Sequence, residues 1–179
     1  MPGGSAERGE PGRQVVAGPE ASGPGRQPRT AVGAAGIAGR AVGAVGLAAV
    51  GVLHLVWAAG SPWPARDEAA LADAVVGSAH TPSVGPTVGV AVLALGGAAV
   101  VGGVGGASPI ARLICAGAAG ALLARGIAGG VAATKLLRLP DPSARFRRLD
   151  RVVYRPVCLT LGAAVAMGML GRMRRRKMG

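Results

Sequence analysis

The run Ala41–Gly60 contains no Asp, Glu, Lys or Arg. About twenty such apolar residues are what a helix needs to cross the hydrocarbon of a bilayer. The run closes in His54-Leu-Val-Trp57-Ala-Ala-Gly60-Ser-Pro-Trp63-Pro64, and tryptophan rings favour the membrane–water boundary. A span with a readable end therefore anchors the chain in a membrane.

Composition agrees. Half the residues are apolar, yet the chain has one Phe, one Tyr and two Trp; Ala, Val, Leu and Gly supply the rest. Small residues suit helix contacts in lipid, where close backbone approach replaces bulk. The 32 glycines fit coding bias in a GC-rich genome equally well. A net charge of +12 raises the question of nucleic acid. The cations, however, sit in the tails and one loop, flanking apolar runs and without interleaved aromatics. That pattern suits lipid headgroups and orientation signals, so no nucleic-acid partner is expected.

Residues 1–30 are Gly, Pro, Arg, Glu, Gln and Ser with little apolar content, the composition of a disordered tail. The tail is too long and too mixed in charge for a signal-peptide n-region, and a cleavage site after Ala58 would remove the opening motif. Residues 31–173 form the membrane domain and 174–179 a basic tail. Four spans are expected, at about 41–60, 87–106, 110–133 and 152–171. The fold class is all-α, a four-transmembrane-helix bundle. Two near-repeats, Ala31–Ala38 and Ala41–Ala48, read as local low complexity, and Arg40 between them marks a membrane rim.

Arg8, Arg13, Arg26, Arg29, Arg40, Arg112 and the five C-terminal cations put both termini inside a cell membrane. The loop 61–84, with Asp67, Glu68, Asp73 and His80, is then outside. The loop 134–151 is basic and also outside, against the positive-inside tendency. Within it Ser143 caps a short interfacial helix bearing Phe146 and Leu149, the chain turns into the membrane at Pro156, and Asp150 can pair with Arg147.

Arg125 is the residue a bilayer tolerates least. In a span ending near 133 it lies about 12 Å deep. An unpartnered Arg there costs at least about 2.5 kcal/mol. It is either an anion contact or a packing residue satisfied by carbonyls and a neighbouring side chain. Depth places His54, Arg125, Tyr154 and Cys158 together in the outer half of the bilayer; with Trp57 and Asp150 they make a candidate polar layer. Cys115 lies near the opposite rim, too far from Cys158 for a disulfide. His54 and Cys158 lack the further ligands a metal needs, a haem would want a second intramembrane His, and a Cys–His nucleophile lacks its third group. No catalytic residue, metal or cofactor is expected. Gly126/Gly130 and Ala164/Gly168, four apart, allow close helix approach.

His54-x-x-Trp57-Ala-x-Gly60, Arg125 and Phe146-x-x-x-Asp150-x-x-x-Tyr154-x-Pro156-x-Cys158-Leu159 together resemble a family of small bacterial four-helix membrane proteins known only as a domain of unknown function. The resemblance spans about residues 40–171. It implies a multi-pass membrane protein and supplies no activity, ligand or cofactor. Members of that family tend to have Ser where this chain has Arg155, and often an acidic residue where it has Gly129 and Gly130. Two function classes follow. One is a structural or accessory membrane component, associating with lipid, other membrane proteins or copies of itself. The other is a small transporter or ligand-binding protein using the polar layer.

Overall fold

The computed structural model describes residues 27–78, 83–136, 138 and 140–176, with side chains between 33 and 173. The tail 1–30 lies almost wholly outside the described residues, as does His80. The first helix, α1, runs Gln27–Ala58. It begins well before Ala41 because Ala and Gly continue its apolar pattern back to Gly33, giving a membrane-competent stretch Gly33–Ala58.

A short helix α2, Glu68–Val75, follows in what the sequence reads as loop. Its start is set by Asp67, whose Oδ1 accepts from the Ala70 amide at 2.7 Å. Such a cap satisfies one of the amides a helix start leaves free. Next come α3, Val84–Gly102, and α4, Pro109–Ala128. Ser108 caps α4 through Ala111 N, and Pro109 takes a first-turn position where no N–H is needed.

The third span differs from expectation. The helix expected at 110–133 ends at Ala128, and a separate α5, Gly130–Leu136, starts after Gly129. Gly129 adopts φ 81°, which a residue with a Cβ rarely adopts. Twenty residues already span about 30 Å, so α4 is long enough to cross unaided and the break falls at its end.

The loop 134–151 also differs. Ser143 caps α6, Ala144–Leu149, through Phe146 N at 3.1 Å, as the sequence implies. The helix then runs on through a π-helical turn, Asp150–Tyr154, into α7, Arg155–Arg176. One continuous rod, Ala144–Met173, is membrane-competent, rather than an interfacial helix that turns in at Pro156. The wider turn explains why Pro156 does not end it. A proline crowds the carbonyl four residues back and donates nothing, and the π turn has already shifted that register, with Arg155 N bonded to Asp150 O.

The four long helices pack as an all-α bundle. α1 lies along both α3 and α7, and α7 lies along α4. The core is small: Leu47, Ala98, Val101, Cys115, Ala119 and Val165. Both cysteines are free. Large apolar side chains point outward instead, Leu93 at 77 % exposure and Leu113 at 74 %. In water that distribution would be untenable; facing lipid it carries no cost.

The glycines divide. A Cβ on Gly39 would stand 2.7 Å from Ala164 O, one on Gly36 3.0 Å from Gly171 Cα, and one on Gly43 2.8 Å from Val165 Cγ2. With Gly46, which abuts Leu161, they form the seam between α1 and α7. The two near-repeats, with Gly39 between them, thus supply one glycine face. Gly85, Gly89, Gly96, Gly117 and Gly120 meet nothing within 4 Å, and packing gives no reason for them.

Candidate functional site

The end of the bundle away from the first residues of α1 and the last of α7 is termed distal. There the break after α4 exposes amides and carbonyls that need partners. Two side chains from the Ala144–Met173 rod supply them. Asp150 Oδ2 accepts from Gly130 N at 2.8 Å, and Arg155 donates through Nε to Gly126 O at 2.9 Å and through Nη2 to Ile127 O at 2.6 Å. Asp150 Oδ1 accepts from Arg125 Nη2 at 2.7 Å. A single carboxylate, 4 % exposed, thus balances the Arg125 guanidinium and starts α5.

This geometry corrects two expectations. Asp150 pairs with Arg125 across 25 residues of sequence, not with Arg147, whose Nη1 donates to Pro142 O. Arg125 occupies the last turn of α4, close to the boundary, because the span ends at Ala128 rather than 133. Arg125 thus finds its carboxylate partner on the rod, and Arg155 caps two carbonyls at the end of α4.

Phe146, Asp150, Tyr154 and Cys158 are spaced by four. In a regular α-helix each such step drifts about 40° around the axis, and the π turn between Asp150 and Tyr154 reduces that drift. The buried Phe146 ring packs against Gly130, its Cε1 only 2.6 Å from where a Cβ would stand, and lies 6.2 Å from the Tyr154 ring. Tyr154 Oη donates to Ala74 O of α2 at 3.0 Å. Ser143 N donates to Gly77 O at 2.9 Å, so the α2 segment is tied down over this face. Arg145 and Asp73, 3.8 Å apart and partly exposed, add little. Cys158 is half-buried on the same rod.

His54 and Trp57 belong to a second group. His54 Nδ1–H donates to Val50 O at 2.8 Å, and its ring lies 4.8 Å from that of Trp57. Trp57 Nε1 donates to Trp63 O at 2.7 Å. Trp57 lines a cleft with Leu71, Ala72 and Val75 of α2. The six candidates therefore form two clusters that α2 bridges: Trp57 beneath one side, Tyr154 bonded to the other.

The sequence signals that mark α2 are Asp67 and Glu68 ahead of an Ala/Leu run, a cap and a first-turn acid. For the break it is the Gly129-Gly130 pair. Among the described residues no three His, Cys, Asp or Glu side chains are placed to hold a metal ion. The chemistry of the distal cluster is that of a clasp. Its carboxylate is engaged twice, its tyrosine and second arginine are bonded to backbone carbonyls, and the buried donor Arg125 Nη1 has no acceptor among the described residues.

Four helices long and apolar enough to cross a membrane, packed as an all-α bundle, are the architecture of a multi-pass membrane protein. The chain belongs to the family described as protein of unknown function, DUF3995, whose model matches residues 47–165. That stretch runs from mid-α1 to mid-α7 and includes both clusters. No curated protein and no solved structure matches the chain.

Proposed function

We propose that the protein is a structural or accessory component of a bacterial cell membrane, acting by association with other membrane components. The observation that carries this is the double use of Asp150. The one basic side chain expected to recognise a ligand from within the membrane is neutralised inside the protein, by a carboxylate that also holds the α4–α5 break. Polar groups satisfied this way fix helix packing.

A small transporter or ligand-binding protein is the second reading. It draws on the broken helix and on the buried donor Arg125 Nη1. Transporter sites use helices broken near the midplane, with free backbone ends facing substrate. Here the break is at a boundary and its ends are already bonded. The two readings part on anions. Melting of the purified protein in detergent is expected to be unchanged by acetate or phosphate at constant ionic strength, and Arg125→Met and Arg125→Lys to shift it alike. An anion-dependent rise in wild-type melting that both variants lose would establish the second reading instead.

The proposed orientation puts both termini in the cytoplasm. In a Cys-free background of intact cells, single cysteines at Ser61 and Ser143 should react with an impermeant maleimide while one at Ser5 does not. Labelling at Ser5 with protection at Ser61 would invert the protein.

A further inference from the structure

At the proximal end, Arg40 of α1, Arg112 of α4 and Arg172 of α7 line one cleft, whose floor is apolar: Val101, Cys115 and Val165. Part of this has a structural purpose. Arg40 donates through Nε to Val101 O at 3.3 Å and through Nη2 to Gly102 O at 2.5 Å, and Arg172 donates through Nη1 to Gly106 O at 3.2 Å. Arg40 satisfies carbonyls at the end of α3, and Arg172 one in the turn that follows it.

Charge shows that capping is not the whole of it. The end of α3 carries roughly half a negative charge and the start of α4, beside it, roughly half a positive one. These offset each other, leaving three full positive charges. Every acidic residue among those described lies in the segments 67–73 and 141–150, at the distal end. Arg40 Nη2 and Arg172 Nη2 both crowd Gly103, at 3.1 and 3.6 Å from where its Cβ would stand. Like charges gathered so closely call for an anion. Arg112 sharpens the point, since it is exposed in the first turn of α4, the helix end a cation does not favour.

We propose that this cleft binds the phosphate of an anionic phospholipid. The three guanidiniums surround the phosphodiester at the membrane rim, and the acyl chains lie along the lipid-facing side of α4, where Ile110 is 72 % and Leu113 74 % exposed. Basic pockets between spans, at headgroup depth, are suited to this chemistry. A free phosphate would use the same arginines but gain nothing from the neighbouring apolar face.

The test uses the full chain, delipidated in detergent and then given phosphatidylglycerol, phosphatidylcholine or inorganic phosphate. Bound lipid is counted by native mass spectrometry and melting is followed in parallel. Phosphatidylglycerol should remain bound and raise the melting temperature, while phosphatidylcholine does neither. Arg112→Gln makes no structural hydrogen bond to lose and should bind phosphatidylglycerol about fivefold more weakly; Arg112→Gln with Arg172→Gln should do so about thirtyfold more weakly. Replacing Arg174, Arg175, Arg176 and Lys177 by Gln should leave binding nearly unchanged. Wild-type affinity in Arg112→Gln, or a loss that follows the C-terminal cations alone, would overturn the proposal. So would inorganic phosphate reproducing the whole effect.

Discussion

Asp150→Asn should destabilise the protein by about 3 kcal/mol, the lower end of what breaking a buried ion pair costs. The lower end applies because the Arg125 side chain keeps 30 % of its surface exposed. Asparagine retains one oxygen where the carboxylate used two. Either Arg125 Nη2 or Gly130 N then faces an NH2 group, donor against donor. The guanidinium is left without its counter-charge, and among the described residues its Nη1 already has no acceptor. Arg125→Met should cost less, because Asp150 keeps its bond from Gly130 N and the side chain removed is the more exposed of the pair. Chemical or thermal unfolding in one detergent, with helicity as the signal, checks the order of the two.

Gly39→Val is the second large effect. The added Cβ would meet Ala164 O at 2.7 Å and Gly168 N at 3.2 Å. Both are backbone atoms of α7 and cannot rotate aside, so α1 and α7 must separate along the seam. Overpacking of this kind costs about 1–3 kcal/mol, and the loss of neighbouring glycine contacts places Gly39→Val at the upper end. Gly89→Ala is the control. Its Cβ meets nothing within 4 Å, and alanine is the better helix former by about 1 kcal/mol, so stability should hold or rise. Equal losses at the two sites would mean that the glycine seam does not determine packing.

The contrast between those two glycines marks how much the sequence discloses. Span number and the all-α class were legible because a predominantly apolar run of sufficient length has one reading in a bilayer. Which glycines matter was not, since Gly39 and Gly89 look alike until α7 lies beside one of them. The length of the third span was misjudged for a local reason: apolar residues continue past Gly129, and hydropathy does not register a positive φ. Arg125 was recognisable as exceptional from its setting alone. Its partner was not, because Asp150 has several nearer cations in sequence, Arg147, Arg148 and Arg151 among them, and only the register of the rod against α4 selects Arg125. That register depends on the π turn at Asp150–Tyr154, which no composition announces. The four-residue spacing of Phe146, Asp150, Tyr154 and Cys158 was visible in the resemblance. Its meaning, a clasp reaching α5, α4 and α2 in turn, came only with the fold.

The charge on Arg125 is answered inside the protein by Asp150. The direct measurement is the stability of the double variant Arg125→Met with Asp150→Asn against Asp150→Asn alone. If the pair is internal, removing the stranded guanidinium relieves the harm done at Asp150. The double variant should then unfold at a higher temperature than Asp150→Asn, with the two substitutions clearly non-additive. Additive losses, leaving the double variant less stable than either single one, would show that Arg125 answers to something else.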